Sequence, residues 1–379
     1  MENSNNIEKL DPQRQEKAKA YARISRRLML VDLFLGGLYL IAWLVFGWSS
    51  NLKGALLAWT SNDWLLVAGF GLVFGLIYFI IGLPMSYYSG YHLPHRFEQS
   101  NESFRGWVTD QVKGIMVAGL LGGVVLESIY AILRAAPETW WLWAAGFLLL
   151  FNVLLANLAP VLLFPIFYKF KPLEEHGELA ERLIRLAKRT NTKVQGVFQF
   201  DMSRRTKSAN AGLTGLGNTR RIILGDTLLD EFSPDEIETV LAHEIGHHAH
   251  KDIVWGIAIG TVSTLVGFYL VSLGLNWGVG YFGFENAADI AAFPLFGIIL
   301  GLFGLLTMPL DNAYSRWRER LADRYALEMT DNGAAFTSAM TRLANQNLSE
   351  VDPEPWVEFL LHSHPALGKR ISMAEEFEK

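Results

Sequence analysis

The sequence predicts a mainly α-helical, polytopic membrane protein with a small polar α+β region, and three observations lead to that class. Hydrophobic residues make up 51% of the 379 positions and charged residues only 19%, a balance unlike that of an ordinary soluble enzyme. The apolar residues fall in six long runs, each matching the ~20 residues a helix needs to cross the hydrocarbon core. The remaining polar residues gather in two blocks, 169–252 and 309–379.

The first run, 28–48 (LMLVDLFLGGLYLIAWLVFGW), follows a charged stretch with seven Lys/Arg in 27 residues. It is too long for the core of a signal peptide and has no clear cleavage site, so it reads as a retained anchor. Comparable runs follow at 64–84, 113–133, 140–168, 253–275 and 290–308. Several contain Gly or Pro, which membrane helices tolerate when neighbouring helices satisfy the freed backbone groups. Tryptophans 48, 64, 107, 140, 141 and 143 lie near predicted span ends, as interfacial anchors do.

Six alternating spans divide the 33 Lys and Arg unequally between the two sides of the membrane. Segments 1–27, 85–113, 169–252 and 309–379 hold seven, three, thirteen and eight, and only Lys53 and Arg134 fall opposite. The positive-inside rule therefore places both termini and both polar blocks in the cytoplasm. The chain divides into a cytoplasmic segment 1–27, four membrane helices over 28–168, a polar α+β region 169–252, two more membrane helices over 253–308, and a C-terminal helical region 309–379.

A net charge of −5 and the lack of a long basic run argue against nucleic acid as a partner. With no cysteine, thiolate metal sites and cysteine nucleophiles are excluded, so any metal must be held by His, Asp or Glu.

In block 169–252, EHGELAERLIRLAKRTN has helical periodicity, KVQGVFQF and RRIILG read as short strands, and GLTGLGN between them is a turn-rich hairpin candidate. Ser233-Pro234-Asp235-Glu236 then marks a helix start, with Ser as N-cap, Pro at the first helical position and Glu reaching back to the cap. The tail is expected to be helical over 311–329, 332–346 and 364–377.

The helix started at Ser233 carries His243-Glu244-Ile245-Gly246-His247. Residues four apart share a helix face, so both imidazoles can reach one zinc ion while Glu244 takes a proton from the attacking water. A catalytic site needs a third protein ligand. A third His six positions after His247 is ruled out because Ile253 stands there, and His248 and His250 point away from the shared face. Glu319 and Asp323, four apart on the helix after the sixth run, lie on the same side of the membrane. One carboxylate would bind the metal and the other orient an imidazole.

Further motifs extend the pattern: GLPMSYYSGY at 82–91, APVLLFPIFYKFKPLEE at 159–175, SANAGLTG at 208–215, RRIILGDTLL at 220–229, LAHEIGHHAHKD at 241–252, SRWRERLAD at 315–323 and SHPALGKRI at 363–371. From about residue 80 onward the chain resembles the integral-membrane CAAX prenyl endopeptidases, the zinc-dependent type related to the a-factor converting protease. The resemblance implies one zinc ion per chain on His243, His247 and Glu319, with Glu244 as catalytic base and Asp323 behind the ligands. It also implies that His364 and Arg370 stabilise the oxyanion, that the strand at Asn210 and Ala211 lines the peptide cleft, and that the membrane helices ring a water-filled chamber. Eukaryotic members have seven spans and a long insertion before the catalytic helix. Here there are six, and only DEFSPDEIETV intervenes.

The expected function is thus peptide-bond hydrolysis by a membrane-embedded zinc metalloendopeptidase acting on a peptide or protein substrate, prenylated or membrane-associated. A quality-control protease indifferent to prenylation shares the same residues. A metal-binding scaffold or transporter is the rival of another class, and Glu244 speaks against it because a structural two-His site has no use for a base.

Overall fold

The structure, a computed structural model, describes residues 9–174, 176–190, 192–215 and 219–379. The hairpin turn expected at 212–218 falls partly outside these residues.

Helix α1 (Pro12–Val45) starts at Asp11, whose side chain accepts from the backbone N–H groups of Gln13 and Arg14. It ends before Gly47, held at φ 66°, and a short α2 (Trp48–Leu57) follows. Next comes α3 (Asp63–Tyr87), which runs through a π turn at Tyr88–His92 into α4 (Leu93–Arg96). After α5 (Phe104–Ala135), α6 (Trp140–Leu158) passes through a second π turn at Ala159–Leu163 into α7 (Phe164–Phe167). Both π turns lie in the proline-bearing motifs at 82–91 and 159–175, where a ring interrupts the regular helical ladder.

The polar block between the fourth and fifth spans folds as β1 (Phe170–Pro172), α8 (Gly177–Arg189), β2 (Val197–Phe200), β3 (Ala211–Thr214), β4 (Arg221–Gly225), α9 (Asp226–Glu231) and α10 (Pro234–Ala249). Its sheet has the order β1-β2-β4-β3, with β2 and β4 parallel and both outer pairings antiparallel. Gly212, Leu213 and Thr214, expected in a turn, are instead strand residues of β3 paired with β4. Glycine-rich composition concealed a strand that tertiary pairing selects. The rest of the chain is α11 (Asp252–Phe282), α12 (Phe293–Thr330), α13 (Gly333–Gln346), α14 (Pro355–Leu361) and α15 (Leu367–Phe377).

Among the described residues, six helices are long and apolar enough to span a membrane. The sixth does not stop near 308: α12 continues unbroken to Thr330 over 38 residues, about 57 Å at helical rise. The expected helix 311–329 is therefore the polar extension of the last span.

Buried side chains gather at the two ends of the molecule. At one end, Trp43, Phe70, Phe74, Tyr130, Leu133, Trp140, Phe268, Leu275 and Phe296 form a core shared by all six long helices. At the other, Leu183, Leu186, Ile222, Leu224, Leu228, Ile237, Leu241, Phe336 and Ala374 join the sheet, α8, α10, α13 and α15. Between these ends the long helices run without a buried residue, as from 108 to 128 in α5 and from 252 to 266 in α11. The six long helices meet as neighbours in the cycle α1–α3–α5–α6–α11–α12–α1, a ring whose middle carries no fully buried side chain. Trp107 and Trp140 belong to the buried set, which corrects their reading as interfacial anchors. Trp48, Trp64 and Trp143 are exposed as expected.

Candidate active site

The N-terminus of α10 is fixed as its sequence dictates: Ser233 N–H donates to Glu236 Oε2 at 2.7 Å and Glu236 N–H donates to Ser233 Oγ at 3.3 Å. Glu236 Oε1 also accepts from Ser338 Oγ on α13 at 2.6 Å, which binds the catalytic helix to the C-terminal region. Gly246 then allows a close approach. A Cβ there would stand 3.0 Å from Ala322 Cα on α12, so only glycine brings the two backbones this near. Ala322 lies between Glu319 and Asp323, and both carboxylates are thereby pressed against the two histidines.

Glu319 Oε2 lies 3.3 Å from His243 Nε2, Glu319 Oε1 lies 3.3 Å from His247 Nε2, and the two Nε2 atoms are 3.1 Å apart. Ligand atoms of the three residues all fall within 4.8 Å of one another. Glu319 Oε2 is buried and makes no hydrogen bond among the described residues. Two imidazole nitrogens and a carboxylate facing one another this closely require a proton or a cation among them. Burial alone would hold His243 below its ordinary value, but the carboxylates of Asp323 and Glu319 push it up to about 9. The donor set of two nitrogens and one oxygen matches a catalytic zinc site with a position left for water.

Each imidazole is held from behind. His243 Nδ1 is 2.8 Å from Asp323 Oδ1, and His247 Nδ1 is 2.8 Å from Asp252 Oδ2. Such contacts fix the tautomer and aim Nε2 at the centre of the cluster. Asp323 is in turn gripped by Arg370, with Nε donating to Oδ2 at 2.9 Å and Nη2 to Oδ1 at 2.5 Å. Burial works against the charge of this guanidinium, but Asp323 opposite raises its pKa. Arg318 binds Asp252 and donates to His250 O. Sequence reasoning missed Asp252 and Arg318. Their signal is the KD pair ending the 241–252 motif, where Lys251 takes a left-handed turn (φ 57°) that returns Asp252 to His247.

Glu244 follows His243 on α10, half-buried, and makes no hydrogen bond or ion pair among the described residues. Its carboxylate is therefore uncommitted. His364 enters from the solvent side, its Nε2 3.4 Å from Glu319 Oε1. His248 and His250 stay outside the cluster: His250 sets its ring edge-on to Tyr325. Asn210 immediately precedes β3, is exposed, and its carbonyl accepts from Gly225 N–H at 2.9 Å. Ala211 opens β3, the outer strand of the sheet, which packs against α10.

This arrangement has close counterparts. Residues 173–378 match the model of peptidase family M48, and residues 5–169 match the CAAX prenyl protease N-terminal model, described as five membrane helices. In this chain that segment holds four span-length helices and α2, whose ten residues reach only about 15 Å. The metalloprotease YhfN of Bacillus subtilis (strain 168) is 30% identical over 95% of this chain and 85% of its own length. The CAAX prenyl protease 1 of Saccharomyces cerevisiae is 33% identical over 77% of this chain and 68% of its own. The crystal structure of S. mikatae Ste24p superposes with a TM-score of 0.87 at 26% identity, covering 98% of this chain and 91% of that one. A six-helix membrane ring closed by an HExxH helix thus has its place: the chain is a multi-pass membrane metallopeptidase of family M48, in the CAAX prenyl protease family.

Proposed function

We propose that this chain is a zinc-dependent endopeptidase that cleaves prenylated peptide or protein substrates at the cytoplasmic face of the membrane. The observation that carries the reading is the convergence of His243, His247 and Glu319 beside an uncommitted Glu244. His243 and His247 on α10 and Glu319 on α12 hold the ion. When bound there, zinc would supply Lewis acidity that polarises the scissile carbonyl and makes a water molecule acidic enough to react at neutral pH. The Glu244 carboxylate accepts the proton of that water and passes it to the departing amine. His364, next to Glu319, donates a hydrogen bond to the carbonyl oxygen as negative charge develops on it, and Arg370 adds positive charge from below. Asp323 and Asp252 keep the two imidazoles in register. The peptide lies along Asn210 and Ala211.

The prenylated substrate is supported by the names of the relatives. The cytoplasmic placement rests on the Lys and Arg distribution. Cleavage of a farnesylated CAAX peptide and its unmodified counterpart tests the substrate class, with the farnesylated peptide predicted to have the higher kcat/KM. Equal rates would assign the enzyme instead to unmodified membrane segments.

A further inference from the structure

We propose that Asn347 closes the outer edge of β3 at Ala209 and so sets the register in which a substrate peptide pairs with that strand. The proposal rests on the peptidase reading above. Among the described residues no strand pairs the far side of β3. On the inner side Asn210 O accepts from Gly225 N–H at 2.9 Å, and Ala211 stands opposite Leu224. Hydrogen-bonding direction alternates along a strand, so Ala209, Ala211 and Leu213 turn their N–H and C=O groups to the outer edge.

At Ala209 both groups are already engaged. Its N–H donates to Asn347 Oδ1 at 2.8 Å, and Asn347 Nδ2 donates to its carbonyl at 3.1 Å. A carboxamide offers the same acceptor and donor as a peptide unit. Asn347 therefore stands where a residue of the next strand would stand. An extended peptide laid on this edge finds partners at Ala211 and Leu213 but none at Ala209.

The surroundings hold Asn347 in place. It caps the C-terminus of α13, its N–H bonded to Leu343 O, and the buried Leu348 beside it adopts φ 51°. A non-glycine residue keeps such a conformation only when its neighbours enforce it. Gln346 Nε2 donates to Lys207 O at 2.9 Å on the segment leading to Ala209. From the other side, the start of α1 grips the loop: Asp11 N–H donates to Asn345 Oδ1 at 3.1 Å, and Gln15 bonds both Ser349 O and Val351 N–H.

Partners along a strand recur every second residue, so removing the carboxamide opens one more pairing position two residues along. The test is the cleavage map of a long unstructured peptide, read by mass spectrometry with zinc-loaded full-length enzyme. Asn347→Ala is predicted to add a cut two residues from the parental bond. KM and kcat at the parental bond should each stay within about twofold, because the pairing positions at Ala211 and Leu213 are untouched, with metal content unchanged. An active variant with the parental map would overturn the role of Asn347 alone. If Asn347→Ala does not fold, Asn347→Asp keeps the shape and the acceptor but sets a carboxylate against the Ala209 carbonyl. It is predicted to show the same added cut, and its absence would overturn the proposal equally. A wild-type enzyme that cuts no peptide at all would instead overturn the peptidase reading itself.

Discussion

Behind each histidine of the cluster stands a carboxylate from a different element, Asp323 from α12 and Asp252 from the start of α11. Asp252→Ala should lower zinc affinity about tenfold to a hundredfold, the usual cost of losing a partner behind a metal-bound imidazole. Competition with a chelator measures it, and an unchanged affinity would remove Asp252 from the site. Glu319→Gln should lose more, because it weakens the carboxylate set between both Nε2 atoms. The spacing of His243, Glu244 and His247 was legible because one continuous helix presents them. Asp323 was legible for the same reason, four residues from Glu319. Asp252 was not, since it reaches His247 across a left-handed residue at Lys251, a reversal that helical spacing does not encode.

Most of the site comes from three elements, α10, the polar C-terminal length of α12, and the segment from α14 to α15, with Asp252 added from the start of α11. The first meets the second at Gly246 and Ala322. Gly246→Ala must drive the helices apart by a few tenths of an ångström, and overpacking of this kind costs about 1–3 kcal/mol. A lower melting temperature together with weaker zinc binding is the expected result; loss of neither would show that the close approach is not needed. The third element is anchored by Glu358 on α14, which accepts from Ala366 N–H at 3.2 Å and Lys369 Nζ at 2.6 Å, just beyond His364. Burial pushes the Glu358 carboxyl up, but these two donors bring it below its ordinary 4.5. A depressed folded value means that its stabilisation is present above 4.5 and is lost as pH falls from there through the folded value. Melting curves should therefore show Glu358→Gln less stable at neutral pH, and the gap to wild type should close below pH 4.5. The capping box of α10 and the apolar runs were readable because both are local patterns. The helix α14 was not, being only seven residues between two prolines. Strand β3 was hidden too, because its pairing with β4 decides its state and its composition does not.

As a whole, the molecule is a ring of six long helices packed at one end on an aromatic core and closed at the other by the catalytic region. At the aromatic end, Lys53 bonds Asp289 at 3.0 Å and Glu285 at 2.9 Å, which joins the α1–α3 connection to the α11–α12 connection. Six spans and the sorting of basic residues were evident in the sequence. Which helices are neighbours was not, because composition alone does not say which apolar side chains meet another helix and which meet lipid. Since the chain has no cysteine, orientation can be read with single replacements. Ser61→Cys, exposed on the connection before α3, should react with an impermeant thiol reagent added outside intact cells, and Arg324→Cys only after permeabilisation; the reverse pattern would place the site on the opposite face. The central claim, hydrolysis by Glu244 at an ion held on His243, His247 and Glu319, is tested most directly by peptide cleavage with wild type and Glu244→Gln at equal zinc content. A Glu244→Gln enzyme that keeps its zinc and loses cleavage by at least about a hundredfold is the predicted result, and one that cleaves at the wild-type rate would contradict the account.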